Sequence, residues 1–191
     1  MPRTDEQNEA LRATTREAVR TAAIRVFARD GFTAANMRGI AAEAGLSVGS
    51  IYRHYPTKHH LFDEFLDQAA TGLDAAAKRL AGAGRPIDLV RAFTDEYLAD
   101  LARDDGAAEF FVVVNQAFGT DTPAGTTARL MEPHRSLWRA FAAVVRRGQE
   151  AGEFAGGDPE AMTVVYFATL SGLTTMRLAL PDADLVLRSL T

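Results

Sequence analysis

Apolar residues recur with the period of an α-helix along almost the whole chain. Between residues 15 and 29 they follow the spacing i, i+3, i+4, i+7, i+8 of one helix face, at Val19, Ala22, Ala23, Val26 and Phe27. Comparable stripes cover residues 58–80, 87–103, 107–118, 137–151 and 160–179. The run 107–118 is rich in Phe and Val, as a strand would be, but the sequence offers it no partner strand. The pattern therefore predicts an all-α protein.

The composition is that of a globular chain with an ample core. The length of 191 residues suits one medium domain or a small domain fused to a larger one, and 47% of the residues are hydrophobic. Cysteine is absent, so a disulfide framework, a thiolate metal site and a cysteine nucleophile are excluded. The first 16 residues lack the apolar stretch of a signal peptide. The most apolar run, Ala161–Met176, is shorter than the roughly 20 residues of a membrane span. We expect a cytoplasmic protein.

Charge is distributed unevenly along the chain. Residues 1–58 contain nine Lys and Arg against six Asp and Glu, a net charge of +3. The remainder contains 12 against 19, a net charge of −7, which returns the overall −4. A mildly basic front on an acidic body favours an anionic partner at the front.

Two short helices joined by a tight turn are predicted between residues 36 and 55. Asn36 is a suitable N-cap for a helix over Met37–Ala44, and Gly45 permits a sharp turn after it. Ser47 is a suitable N-cap for the second helix, which runs to Tyr55. This is a helix-turn-helix arrangement, whose second helix enters the major groove of DNA.

The side chains of the second helix suit contact with DNA. Ile51 and Tyr55 share one face and are predicted to pack inward, whereas Tyr52 points away. Arg38, in the first helix, is placed to reach a phosphate or a guanine edge. Lys58 is expected to add its charge to a phosphate site at the start of the next helix. Solvated surface charge is the alternative for each basic residue, and a helix-end cap is the alternative for His54.

The front of the chain resembles the tetracycline-repressor (TetR) family of bacterial regulators. The matching residues are Ala22, Ala23, Phe27, Gly31, Phe32, Thr33, Ile40, Ala41, Ala44, Gly45, Leu46, Ser47, Gly49, Ser50, Ile51, Tyr52, His54, Tyr55, Lys58 and Leu61. The resemblance implies a homodimer that binds a palindromic operator in double-stranded DNA. Carried over by position, the DNA-binding residues are Arg38, Ser47, Val48, Gly49, Ser50, Tyr52, Arg53, His54 and Lys58. Asn36 stands where the family often has Thr or Ser.

The predicted division of the chain follows from this resemblance. Residues 1–60 form the N-terminal helix-turn-helix domain, preceded by a flexible arm over about residues 1–13. Residues 61–191 form a C-terminal helical domain for ligand binding and dimerisation. Arg3 and Arg12 leave a DNA-binding role for the arm open, although Glu9 and its acidic neighbours argue against it.

Aromatic residues interspersed with polar ones mark candidate ligand-binding faces in the C-terminal domain. The candidates are Phe93, Tyr97, Phe110, Phe111, Asn115, Phe118, Trp138, Phe141, Tyr166 and Thr169. Ordinary core is the alternative for each of them. A buried polar group without a partner is costly, so such groups imply a partner or a ligand. No charged residue interrupts the predicted apolar faces, which favours an apolar or aromatic ligand.

The last helix is apolar on nearly all sides, which predicts burial against both its own core and a second subunit. Small side chains would allow close approach of two helices. The predicted dimer-interface residues are Val145, Ala168, Ser171, Gly172 and Thr175.

The sequence thus predicts a ligand-responsive transcriptional repressor. The alternative is a DNA-binding dimer without a small ligand, governed by a protein partner or by its abundance. An enzyme is disfavoured because the sequence has no nucleophile elbow, phosphate loop or metal-ligand spacing. No cofactor or metal is expected, since the adjacent His59 and His60 would diverge on a helix.

Overall fold

The computed structural model describes residues 5–103 and 105–180. This part of the chain is all-α, as predicted, and contains no strand. Its helices are α1 (Asp5–Ala34), α2 (Met37–Glu43), α3 (Val48–Tyr52), α4 (Lys58–Leu80), α5 (Pro86–Ala102), α6 (Ala107–Gly119), α7 (Thr126–Glu150) and α8 (Pro159–Ala179). None of the described helices is long and apolar enough to cross a membrane.

Helix α1 presents the predicted stripe to the core. Val19, Val26 and Phe27 are almost fully buried. Gly31 has a positive φ of 73° inside the helix, so the regular backbone is interrupted two residues after the predicted stripe of residues 15–29 ends. The helix begins at Asp5, which corrects the prediction of a flexible arm for residues 5–13. Arg3 lies outside the described residues.

The chain divides into two compact units between Phe65 and Leu66, inside α4. The first unit holds the helix-turn-helix and the start of α4. The second holds the remainder of α4 and the helices α5–α8. Helix α4 itself is continuous from Lys58 to Leu80.

The core of the second unit is built from α4, α7 and α8 with α5 beside them. Leu80, Phe141 and Val144 are almost fully buried there. The sequence suggested that this helix begins near Leu137, but α7 begins at Thr126. Pro133 lies inside it without breaking it, although a proline cannot donate the usual helical hydrogen bond.

The turn between α7 and α8 is packed against the start of α5. The Glu153 carboxylate accepts hydrogen bonds from the backbone N–H of Ile87 and from Arg85, at 2.9 and 3.1 Å. These donors hold the pKa of Glu153 below its usual value, with the backbone N–H as the larger cause. Asp158 caps α8 by accepting from the N–H of Glu160.

Candidate functional site

The helix-turn-helix of α2 and α3 is defined by three local caps. Asn36 accepts a hydrogen bond of 3.0 Å from the N–H of Gly39, and Ser47 accepts one of 3.2 Å from the N–H of Ser50. Gly45 has a φ of 65°. The N–H groups of Gly45 and Leu46 bind the last carbonyls of α2, as in a Schellman motif. Both N-caps and the left-handed glycine therefore match the sequence prediction.

The inward face of the α3 segment is fixed by Ile51 and Tyr55, both fully buried. The Tyr55 hydroxyl donates to the Glu64 carboxylate at 3.0 Å. Burial, followed by this hydrogen bond, raises the pKa of Tyr55 to about 12. Tyr52 instead remains 52% exposed. The predicted inward and outward sides of this short helix are confirmed.

The predicted DNA-binding residues retain solvent access. Arg38, Ser47, Gly49, Tyr52 and Arg53 are exposed, and Val48, Ser50, His54 and Lys58 are half-buried. A side chain added at Gly49 would meet no atom within 4 Å. The backbone of α3 is therefore open to close approach by a large, smooth partner.

Arg38 and Arg53 differ from most other arginines of the protein. Within the described part of the chain, neither forms an ion pair or a side-chain hydrogen bond. Many exposed arginines elsewhere are paired, for example Arg79 with Glu96 at 2.9 Å and Arg103 with Asp105 at 2.8 Å. The helix-turn-helix thus presents two positive charges that the protein itself does not neutralise, as a phosphate-binding surface requires.

Lys58 is engaged within the protein, contrary to the expectation of a free phosphate contact. Its ammonium group donates to the carbonyl oxygens of Phe32, Thr33 and Ala35 at 2.8, 3.0 and 2.9 Å. The same group lies 4.6 Å from the centre of the Phe32 ring. An ammonium has three donors, and all three are used here. Lys58 closes the end of α1.

Most of the predicted ligand-binding residues converge in the second unit. Phe141 is buried, and the half-buried members are Phe93, Tyr97, Phe110, Phe111, Phe118, Trp138 and Tyr166. Phe141 stacks on Tyr166 with ring centres 4.3 Å apart, and Tyr97 stacks on Phe111 at 4.4 Å. Asn115 and Thr169 are exposed instead, which corrects their placement on buried faces. Asn115 donates to Ser171, and Thr169 bonds to its own helix.

Phe167 connects the aromatic rings of α5, α7 and α8. It contacts Phe93 and Phe141 edge to face, at 6.0 and 5.2 Å. On another side it stacks on Trp138 at 5.5 Å. Phe167 is thus a further member of the aromatic cluster, next to Tyr166 on the same apolar helix.

Two tyrosine hydroxyls in this cluster have partners on neighbouring helices. The Tyr166 hydroxyl pairs with Thr94 at 2.7 Å, and the Tyr97 hydroxyl pairs with the buried Thr174. Burial raises the pKa of both tyrosines, so both are neutral at pH 7. Thr94 is absent from the predicted site, because a single threonine in the middle of a helix carries no signal of its distant partner.

His134 lies among aromatic rings at the α6–α7 side of the unit. Its ring centre is 3.9 Å from that of Phe118 and 5.2 Å from that of Trp138. Burial lowers the pKa of His134 below its usual value, so its imidazole is neutral at pH 7. This side of the cluster therefore carries no formal charge on its histidine.

One face of α8 is apolar and open to solvent. Val164, Val165 and Met176 are 49%, 65% and 59% exposed. Ala168, Gly172 and Thr175 are exposed on the same helix, at the spacing of one face, and Ser171 is half-buried. Val145 is instead buried in the core of its own subunit, which corrects its assignment to a dimer interface.

Comparison with known proteins agrees with this geometry. Residues 19–65 match the model of bacterial regulatory proteins of the tetR family. The transcriptional regulator TtgR of Pseudomonas putida is 28% identical over 176 residues, spanning 88% of this chain and 82% of TtgR. These matches are to DNA-binding regulators and not to enzymes, as the sequence predicted.

Solved structures share the fold over almost the full chain. The MbdR regulator from Azoarcus sp. CIB superposes with a TM-score of 0.72 at 19% identity, covering 92% of this chain and 95% of that one. A SmeT–triclosan complex gives a TM-score of 0.63 at 19% identity, covering 90% and 83%. Both likenesses support an N-terminal helix-turn-helix followed by a helical C-terminal unit.

Proposed function

The chain belongs to the tetR family of bacterial regulatory proteins, and we propose that it is a homodimeric repressor released from its operator by a small apolar or aromatic molecule. Its place in the family makes it a DNA-binding transcriptional regulator. Repression, the effector and the dimer are the parts that we propose. Since its partner is chromosomal DNA, we place it in the cytoplasm.

The observation that carries the proposal is the charge left unpaired beside α3. Arg38 and Arg53 have no acidic partner among the described residues. Tyr52, which directly precedes Arg53, is exposed to solvent. Arginine guanidinium groups bind phosphates and guanine edges, and a tyrosine hydroxyl donates to phosphates. The small side chains of Gly49 and Ser50 would allow the backbone of α3 to approach the bases in the major groove. Val48 offers an apolar contact such as a thymine methyl accepts.

The exposed apolar face of α8 supports the dimer. A row of exposed valine, alanine, glycine and methionine on one helix is unfavourable in water and suits contact with a second copy. The missing side chain of Gly172 leaves room for a partner helix. Two recognition helices in a symmetric dimer would engage half-sites roughly 34–36 Å apart, one turn of DNA.

The half-buried aromatic rings of α5–α8 support the effector. Rings that stay partly accessible within a helical core can stack on a planar ligand. SmeT, which shares the fold, forms a complex with triclosan. For the present protein we propose a ligand of the apolar or aromatic class, contacting residues such as Phe93, Phe118 and Trp138.

Helix α4 is proposed to carry the response. It contributes Phe62 and Phe65 to the first unit, and Ala77 and Leu80 to the core of the second. A ligand that displaces its C-terminal part would change the spacing of the two recognition helices. The effector can act only through its different affinity for the two arrangements, typically about 1–3 kcal/mol.

A binding assay on genomic DNA tests the proposal. Fragments retained by the purified protein are identified, and their release is measured while a library of small aromatic molecules is added. We expect specific fragments to be retained and a subset of compounds to release them and raise the melting temperature. Specific retention without any releasing compound would support the alternative of a regulator without a small ligand. Absence of retained DNA at low salt would contradict both.

A further inference from the structure

The indole N–H of Trp138 is a buried donor without an acceptor. The nitrogen is shielded from solvent, and no hydrogen-bond partner for it occurs among the described residues. Buried polar groups almost always have a partner, so an isolated donor of this kind requires an explanation. The neighbouring hydroxyls of Tyr97 and Tyr166 do have partners. Trp138 is thus distinguished from the two tyrosines of the same aromatic cluster.

The surroundings of this donor are aromatic. The Trp138 indole stacks on Phe167, with ring centres 5.5 Å apart and an angle of 12° between the planes. The imidazole of His134 lies 5.2 Å away on the same helix, one turn earlier, and Phe118 continues the row. All four rings are half-buried. Such a row offers stacking faces to a flat molecule and one donor to a polar atom on it.

The electrostatics favour a neutral molecule. His134 is neutral at pH 7 because burial disfavours its protonated form. A carboxylate beside it would lose its water of hydration and gain only one neutral N–H from Trp138, which does not compensate a buried charge. A ketone, amide or ester oxygen costs far less to desolvate and accepts the same hydrogen bond.

We infer that the effector is a neutral, planar, unsaturated molecule with a carbonyl-type oxygen, and that this oxygen accepts a hydrogen bond from Trp138 Nε1. The inference rests on the proposed function, because it describes the ligand of the same repressor. The proposed function defines the effector only as an apolar or aromatic molecule. Pairing with Trp138 adds that the effector must carry a hydrogen-bond acceptor. Trp138 acts as a specificity determinant, since hydrocarbons of the same shape leave its donor unpaired.

Two matched pairs of probes isolate the hydrogen bond. Benzophenone and 1,1-diphenylethylene differ in C=O against C=CH2, as do acetophenone and α-methylstyrene. Trp138 is the single tryptophan of the chain, so its indole N–H gives one assignable signal in the NMR spectrum of protein labelled with ¹⁵N-tryptophan. We expect each ketone to bind roughly tenfold more tightly than its alkene partner and to move the indole proton downfield, as a new hydrogen bond does.

The variant Trp138→Phe keeps an aromatic ring for stacking and removes the donor. We expect the ketone-to-alkene ratio of affinities to fall to about one in this variant. Should it not fold, the two probe pairs on the wild-type chain still decide between the outcomes. Equal binding of ketone and alkene, a ratio unchanged in Trp138→Phe, or no movement of the indole signal by either ketone up to its solubility limit would overturn the inference.

Release of DNA separates this inference from the proposed function. If compounds release DNA while the indole proton keeps the chemical shift of a free N–H, the repressor stands and the role of Trp138 is wrong. If the ketones bind through Trp138 and the DNA stays bound at saturation, the site stands and its role as the effector site is wrong.

Discussion

The ammonium group of Lys58, at the first residue of α4, lies 2.8 Å from the carbonyl oxygen of Phe32, near the end of α1. Two further carbonyls, of Thr33 and Ala35, complete its shell of acceptors. The lysine thereby fastens α4 to the end of α1. A residue that sequence reasoning placed at the DNA backbone is part of the scaffold that orients the helix-turn-helix.

The variant Lys58→Met should therefore lower stability. It retains the aliphatic stem and removes a charged donor, leaving carbonyl groups unpaired, and hydrogen bonds to charged groups contribute about 1.5–3 kcal/mol. Urea unfolding followed by circular dichroism measures the change. Lys78→Met, at an exposed position near the end of the same helix, is the matched control and should be close to neutral. Equal midpoints for the two variants would show that the three hydrogen bonds contribute nothing.

The variants Arg38→Gln and Arg53→Gln should weaken DNA binding and reduce its dependence on salt. Removing one phosphate-binding charge lowers the slope of log K against log salt by about 0.9. Fluorescence anisotropy with a labelled duplex, repeated at several salt concentrations, gives the slope. Arg79→Gln, which removes an arginine already paired with Glu96, should leave it unchanged. A slope that is the same for all three variants and the wild type would place the DNA on another surface.

The sequence predicts a contact in the helix-turn-helix only where the two partners are close together along the chain. The caps at Asn36 and Ser47 and the turn at Gly45 involve partners within a few residues, so the local pattern suffices to predict them. Lys58 bonds to carbonyls 23 to 26 residues earlier in the chain. Periodicity carries no information about such a contact, so the sequence alone does not show that Lys58 closes the end of α1.

The helical period of apolar residues likewise predicts which face of a helix is buried, but not which part of the protein covers that face. Val145 and Val165 both fit a buried stripe in the sequence. The structure buries Val145 in its own core and leaves Val165 65% exposed. Pro133 is misleading for a different reason, since a proline usually ends a helix, and here α7 continues through it.

Gly148 should tolerate no side chain, because Phe154 occupies the space above it. A methyl carbon at Gly148 would meet the Phe154 ring at 2.1 Å. Gly148→Ala should therefore destabilise the protein by about 1–3 kcal/mol through overpacking. The free energy of unfolding in urea is the readout. Gly119→Ala, at a helical position with open space around it, is the control.

The smaller side chain of Phe154→Leu should relieve part of that effect in the double variant Gly148→Ala/Phe154→Leu. In a double-mutant cycle, the double variant should therefore lose less stability than the sum of the losses of the two single variants. Additive effects would mean that Phe154 does not pack on Gly148.

The variant Val165→Asp should dissociate the dimer. An aspartate on the exposed face of α8 would be buried without a partner charge when a second copy packs there. Analytical ultracentrifugation measures the change in mass. Ala99→Asp adds the same charge at an exposed position on α5 and should leave the dimer intact. A Val165→Asp protein that sediments like the wild type would exclude this face of α8 as the interface.

The proposed repressor depends on two copies of α3, related by the symmetry of a dimer, binding DNA together. Selection of bound duplexes from a random pool tests this directly. The purified wild-type protein is taken through repeated rounds of binding and amplification at moderate salt. We expect enrichment of an inverted repeat whose half-site centres lie one helical turn apart, roughly 34–36 Å, and slower enrichment of the same repeat with Arg53→Gln, which loses a phosphate contact. A pool that stays random, or that yields a single site without two-fold symmetry, would contradict the proposed repressor.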